Sequence, residues 1–151
     1  MIKLNGKGST WAKRAAALLS AIGVAVALGL VVNAYLADQK KQEIKRAAAS
    51  MDAFARDWNA DMQVASATSR IALAGPVMKL RDREEQLAKT RVPECLAKSK
   101  AELVAHVRLS IEAFTSFMAD QEYLSSYQAG EAIKHLRLYS QFKAKCEASL
   151  K

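Results

Sequence analysis

Two residue types able to do chemistry occur just twice each in this chain: cysteine at Cys95 and Cys146, and histidine at His106 and His135. Each histidine lies 11 residues from a cysteine, between the two cysteines in the chain, and 11 residues is about three turns of α-helix. A cysteine and a histidine so spaced share one helix face. Glu102 and Glu131 each stand four residues before a histidine, within side-chain reach along a helix. Neutral imidazoles together with carboxylates can hold zinc or a related cation. The di-metal carboxylate bundles, however, use a Glu-x-x-His spacing, whereas this chain has Glu-x-x-x-His, and Glu102 and Glu131 do not fall at one level. The expectation is a structural histidine pair, hydrogen-bonded or partly exposed at a helix seam, with a metal site at His106, His135, Glu102 and Glu131 as the alternative.

The elements that position these residues follow from the breakers. Beyond residue 37 there are two glycines, Gly75 and Gly130, and two prolines, Pro76 and Pro93, with no alternating strand pattern, so the chain reads as all-α. Ile44, Ala48, Met51, Ala55, Trp58, Met62, Ala65, Ser69 and Ala72 recur at steps of three and four, the seam of a long first helix. Gly75-Pro76 is expected to end or kink it. Val77, Leu80 and Leu87 mark a short second helix ending near Thr90. Pro93 suits the first turn of a third, with Leu96, Leu103, Val107, Ile111, Phe114 and Met118 inward. Asp120-Gln121 reads as a turn, and a fourth helix follows from about Glu122 to Ser149, with Leu124, Tyr127, Ile133, Leu136, Leu138 and Phe142 on a broader apolar face. This is an antiparallel bundle of about four helices.

In such a hairpin, residues whose numbers sum to 241 are level. Cys95 and Cys146 satisfy that rule, as do His106 and His135. With inward side chains the cysteines fall within the roughly 4.4 to 6.8 Å between Cα atoms that a disulfide requires. The predicted bond closes a loop of about 50 residues and stabilises by up to about 4 kcal/mol through chain entropy. No Cys-x-x-Cys or Cys-x-x-Cys-His is present, which argues against thioredoxin-like chemistry and covalent haem attachment.

Ahead of this domain lies an uncharged run, residues 15–37 (AAALLSAIGVAVALGLVVNAYLA), preceded directly by Lys13 and Arg14. As a helix it is about 34 Å long, against about 30 Å for a hydrocarbon core. It reads as an uncleaved transmembrane signal anchor, longer than the apolar stretch of a signal peptide, although Ala25-Val26-Ala27 and Val32-Asn33-Ala34 have the small residues a cleavage site needs. Basic residues flank both ends, with Lys3, Lys7, Lys13 and Arg14 before the run and Lys40, Lys41, Lys45 and Arg46 after it. Lys13 and Arg14 abut the apolar core, and a disulfide suits an oxidising compartment. The expected organisation, for a bacterial source, is a short cytoplasmic tail (1–14), a single-pass inner-membrane anchor (15–37) and an exported periplasmic domain (38–151).

The net charge of +8 comes from 23 basic and 15 acidic residues. All the acids lie after residue 37 with 19 of the bases, mixed along helix faces, so a nucleic-acid partner is not expected. Attraction of Lys40, Lys41, Lys45 and Arg46 to anionic lipid headgroups suits that flank better. Asp52, Asp57 and Asp61 read as a wet face, and Arg81-Asp82-Arg83-Glu84-Glu85 as a solvated turn of helix. Tyr123, Tyr127, Tyr139, Phe114, Phe117 and Phe142 read as core more than as the lining of a ligand pocket. No Gly-x-Ser-x-Gly or other activated-nucleophile pattern occurs, and neither catalysis nor a cofactor is expected.

Two function classes follow. One is a non-enzymatic envelope protein that scaffolds or binds a protein partner or a second copy. The long seam has coiled-coil character, and Ala21, Gly23, Ala25, Ala27 and Gly29 permit close helix approach in a membrane. The alternative is a sensory bundle that binds a small ligand or metal and acts through a separate signalling partner, because 14 residues are too few for an output domain.

Overall fold

The computed structural model describes residues 9–150, with side chains from Val32 onward. Among these residues there are four α-helices, one short 3-10 turn and no strand: α1 (Ser9–Ser66), the turn Arg70–Ala72, α2 (Ala74–Lys89), α3 (Glu94–Met118) and α4 (Glu122–Ala148). The chain divides into two compact units between Lys40 and Lys41. In the first unit the backbone from Ser9 is helical. Among the described residues no helix is long and apolar enough to cross a membrane. Most of the expected anchor, 15–31, lies outside the residues whose side chains are described, as do Lys13 and Arg14, and residues 1–8 lie outside the described residues altogether.

The second unit is a helical bundle. Its core takes Ala48, Met51, Trp58 and Ala65 from α1, Val77, Leu80 and Leu87 from α2, and Leu96, Leu103, Val107 and Ile111 from α3. Steps of three or four and of seven on each helix gather these side chains into one stripe, and each large one stabilises by about 1.5–3 kcal/mol when fully buried. The seam of α1 is thereby covered within the bundle.

Helix α1 stops at Ser66, short of the expected Ala72. The run Ser66-Ala67-Thr68-Ser69 explains this, since hydroxyl side chains compete for helix carbonyls. Thr68 Oγ1 donates to the Val64 carbonyl at 2.7 Å, and the Thr68 N–H bonds back only to Ala65. Ser69 and Ala72 are therefore exposed. Gly75-Pro76 opens α2 within its first turn and does not end α1; a first-turn residue has no intrahelical partner for its N–H, so proline is tolerated there. Pro93 likewise precedes α3, as its N-cap.

The α3–α4 turn falls at the expected place. The Gln121 N–H bonds to the Ser116 carbonyl at 2.9 Å and the Asp120 N–H to Phe117 at 3.1 Å, the paired bonds of a Schellman cap. That cap needs a left-handed residue, and Asp120 supplies it at φ 62°; aspartate is one of the few residues besides glycine that visits this region routinely.

Helix α4 departs most from expectation. Its buried stripe is Ala132, Tyr139 and Cys146, at a step of seven. Leu124, Tyr127, Ile133 and Leu138 are exposed, as is Tyr123. Polar contacts join the two helices: Ser99 Oγ of α3 donates to the Tyr139 carbonyl of α4 at 3.0 Å, and Ser116 Oγ of α3 to Gln128 Oε1 of α4 at 2.8 Å. At 100° per residue, Tyr123 and Tyr127 fall on the side away from this stripe, and Leu124 and Leu138 on its flank.

Candidate functional site

Cys95 opens α3 and Cys146 nearly closes α4. The two are disulfide-linked, with Cα atoms 5.5 Å apart, so the far end of the hairpin from its turn is tied. Cys146 is buried and Cys95 exposed.

About three helical turns inward, the histidines take different partners. The Nδ1 of His106 lies 2.9 Å from the Ala132 carbonyl oxygen. A carbonyl only accepts, so Nδ1 carries the proton and Nε2 of the neutral ring is an acceptor. Burial pushes this imidazole below its ordinary value of 6.5, against the opposing effect of the Ala132 bond and with a smaller push from His135. His135 is half-buried, its Nδ1 2.6 Å from Glu102 Oε2. Glu102 thus reaches across the hairpin, not along its own helix to His106. Glu131 pairs with Lys134. The four residues considered as metal ligands are divided among three separate partnerships, and among the described residues no group of three or more His, Cys, Asp or Glu is placed to hold a metal ion.

Of the acidic positions expected on a wet face, Asp57 is exposed, but Asp61 and Asp52 are drawn into cross-helix contacts. Asp61 is 8% exposed, with Lys79 Nζ 2.6 Å from Oδ1 and Arg83 Nε 3.0 Å from Oδ2. The Lys79 hydrogen bond, with Arg83 and against the effect of burial, holds its carboxyl below the usual range. Asp52 accepts from Tyr139 Oη at 3.0 Å and from Lys143 Nζ at 2.5 Å; burial, then the Asp52 hydrogen bond, pushes the Tyr139 phenol well above its usual value. Within the expected solvated turn, Arg83 serves Asp61 and Glu84 accepts from Arg108 at 3.0 Å. These are cross-helix clamps. Asp61 sits between Trp58 and Met62 on the seam of α1, and that position was the one available signal of its burial.

Next to His106 lies a cavity of about 430 Å³, lined by Met62 and Ser66 of α1, by His106, Ser110, Ala113, Phe114 and Phe117 of α3, and by Ser125, Ala129, Ala132 and Ile133 of α4. Ligand cavities commonly run from about 300 to 1,000 Å³ and are mostly apolar with a few polar groups. The small residues of α4 leave this room: Ser125 and Ala129 stand where larger side chains would fill the hairpin. Phe114 and Phe117 pack against the core as expected and also form cavity wall, while Tyr123 (88% exposed) and Tyr127 (58%) face solvent. Ser110 Oγ donates to the carbonyl of His106 at 2.8 Å, so serine and imidazole are not arranged as nucleophile and base. Trp58 stands against His106, ring centroids 6.3 Å apart and edge-on, and its buried Nε1 has no hydrogen-bond partner among the described residues. Comparison with known protein families, with curated proteins and with solved structures finds no match to this chain.

Proposed function

We propose that this chain is a non-enzymatic binding protein of the cell envelope, tethered by the apolar run at 15–37, whose exported bundle takes a small molecule into the cavity beside His106 and reports its presence to a separate signalling partner. The observation that carries the reading is the cavity itself: about 430 Å³, with walls from three helices and a buried imidazole. The cross-helix bonds around Ser99, Asp52 and Asp61 hold the other side chains of the bundle in place, which favours a formed site over loose packing. The seam of α1, the original motive for pairing with a second copy, is occupied by the bundle's own core. The anchor and export rest on the apolar run with Lys13 and Arg14 before it and on the cysteine pair. Lys40 and Lys41 after the run would then lie near the lipid headgroups.

The test is thermal unfolding of the full-length protein in lipid nanodiscs against a library of small uncharged aromatic and aliphatic compounds. A true ligand raises Tm with concentration by mass action, and Ala129→Trp, which fills the cavity, abolishes the shift. A library in which no compound raises Tm would overturn the reading. Intact mass of protein extracted under thiol-blocking conditions tests the address: full-length mass with both cysteines protected is expected, and alkylation without reduction would place the domain in a reducing compartment.

A second reading, a protein-interaction role, draws on the outer face of α4, where Tyr123, Leu124, Tyr127 and Ile133 are exposed. Crosslinking from Tyr127 in native membranes separates the two, because a partner or second copy docked there is captured whether or not the cavity is filled.

A further inference from the structure

The lining of the cavity says what kind of molecule it accepts. Not one Asp, Glu, Lys or Arg lines it. A charged ligand group placed there would lose its hydration with no opposite charge to meet it, a large penalty. The walls are otherwise aliphatic and aromatic, from Met62, Ala113, Phe114, Phe117, Ala129 and Ile133. At a liquid-like share of ~30 Å³ each, the space suits on the order of a dozen non-hydrogen atoms.

The polar groups are equally selective. His106 and Ser110 are the buried polar residues of the wall, 7% and 5% exposed; Ser66 is exposed and Ser125 half-buried. Both buried groups have already committed a hydrogen: His106 Nδ1–H to the Ala132 carbonyl and Ser110 Oγ–H to the His106 carbonyl. What each still offers is a lone pair, and His106 Nε2 forms no hydrogen bond among the described residues. A wall whose two buried polar residues have only lone pairs left to offer selects a ligand that donates.

On the reading that the cavity binds a ligand, we infer that the ligand is an uncharged, largely apolar molecule carrying a hydroxyl-type donor, and that His106 Nε2 accepts its hydrogen. Phenols and small apolar alcohols have this chemistry; carboxylates, amines and pure hydrocarbons do not. His106 is the specificity-determining residue, and Phe114 and Phe117 hold the apolar body.

The test uses full-length protein in nanodiscs, labelled at histidine with ¹³C and ¹⁵N and titrated with 4-ethylphenol, ethylbenzene and 4-ethylbenzoate. With two histidines in the chain, His135 serves as the reference signal. Before any probe, the ¹⁵N shifts should show Nδ1 protonated and Nε2 bare. 4-Ethylphenol should move the His106 Nε2 resonance in the direction of hydrogen bonding and bind about tenfold tighter than ethylbenzene, the worth of one buried hydrogen bond, with 4-ethylbenzoate weaker than both. In His106→Phe, read by thermal shift, the two neutral probes should become equal. Equal affinities for phenol and hydrocarbon in the wild type would overturn the inference while leaving a ligand cavity standing, and strongest binding by the benzoate would do the same. Failure of all three probes to move His106 or Tm would overturn the cavity reading with it. The wild-type comparison decides the matter even if the variant does not fold.

Discussion

The two ends of the α3–α4 hairpin are built from the same two helices and differ in nearly every physical respect. At the end remote from the turn, Cys95 is bonded to Cys146, Leu96 is fully buried and Ser99 is hydrogen-bonded to the backbone of α4. Near the turn, small residues on α4 face Phe114 and Phe117 of α3 across open space, and the hairpin is held by the Schellman cap and the exposed Arg70–Asp120 pair. One end is tied covalently and packed; the other is held by a backbone cap and left roomy. A bundle can afford a cavity where it has a second, independent restraint elsewhere on the same helices. Stability and binding are then divided along the length of the hairpin.

The sharpest way to break that division is to cut the tie. Cys95→Ala with Cys146→Ala should lower unfolding free energy by about 4 kcal/mol, given a closed loop of about 50 residues, and urea unfolding of oxidised and reduced wild type should reproduce the difference. Truncation contrasts the ends next: Leu103→Ala, in the packed stripe, should cost about 3 kcal/mol, whereas Phe117→Ala, beside existing space, should cost no more than about half as much, because part of its contact surface is already missing. Added volume should show the opposite asymmetry. Ser99→Leu should destabilise by about 2 kcal/mol through overpacking and a lost hydrogen bond, while Ala113→Leu at the cavity should be neutral or raise Tm by a few degrees and weaken any cavity ligand.

Acid should loosen the molecule in an order that distinguishes its regions. Because the folded His106 titrates below its ordinary 6.5, its contribution is present above about pH 6.5 and declines as pH falls from there through the lower folded value. Asp61 is also depressed below its ordinary 3.8, and its contribution is lost only as pH drops under that value. Stability of His106→Gln followed from pH 8 to 2 should lack the first decline and keep the second. The smallest effect belongs to the turn: Asp120→Gly removes the left-handed strain but also the Arg70 partner, so Tm should move by only a degree or two, and a large drop would mean that the Arg70 pair carries more of the turn end than its exposure suggests.

Much of this was legible in the sequence. Few glycines and prolines, a three-four periodicity and Asp120-Gln121 between two long runs were enough to place the helices, and the hairpin rule brought the cysteines together. The rule worked because α3 and α4 run without interruption from a sharp turn. Reading was weaker where polar side chains override periodicity. Thr68 ended α1 early by bonding to a carbonyl, and Asp61 entered the core because Lys79 and Arg83 came to it from another helix. On α4, Tyr139 and Leu136 turn inward as expected, but Leu124, Tyr127, Ile133 and Leu138 do not, because small and polar residues face α3 near the turn. The cavity is invisible for the same reason, since periodicity reports which residues turn inward and not whether they fill the space they face.

The disulfide has a topological consequence. From Cys95 to Cys146 the chain is a covalent ring that contains the walls contributed by α3 and α4, with Met62 and Ser66 as the wall members outside it. A protease that cuts at the exposed Asp120-Gln121 turn leaves a two-chain molecule with one water added to its mass, in which the severed helices remain joined at their other end until a reductant separates them.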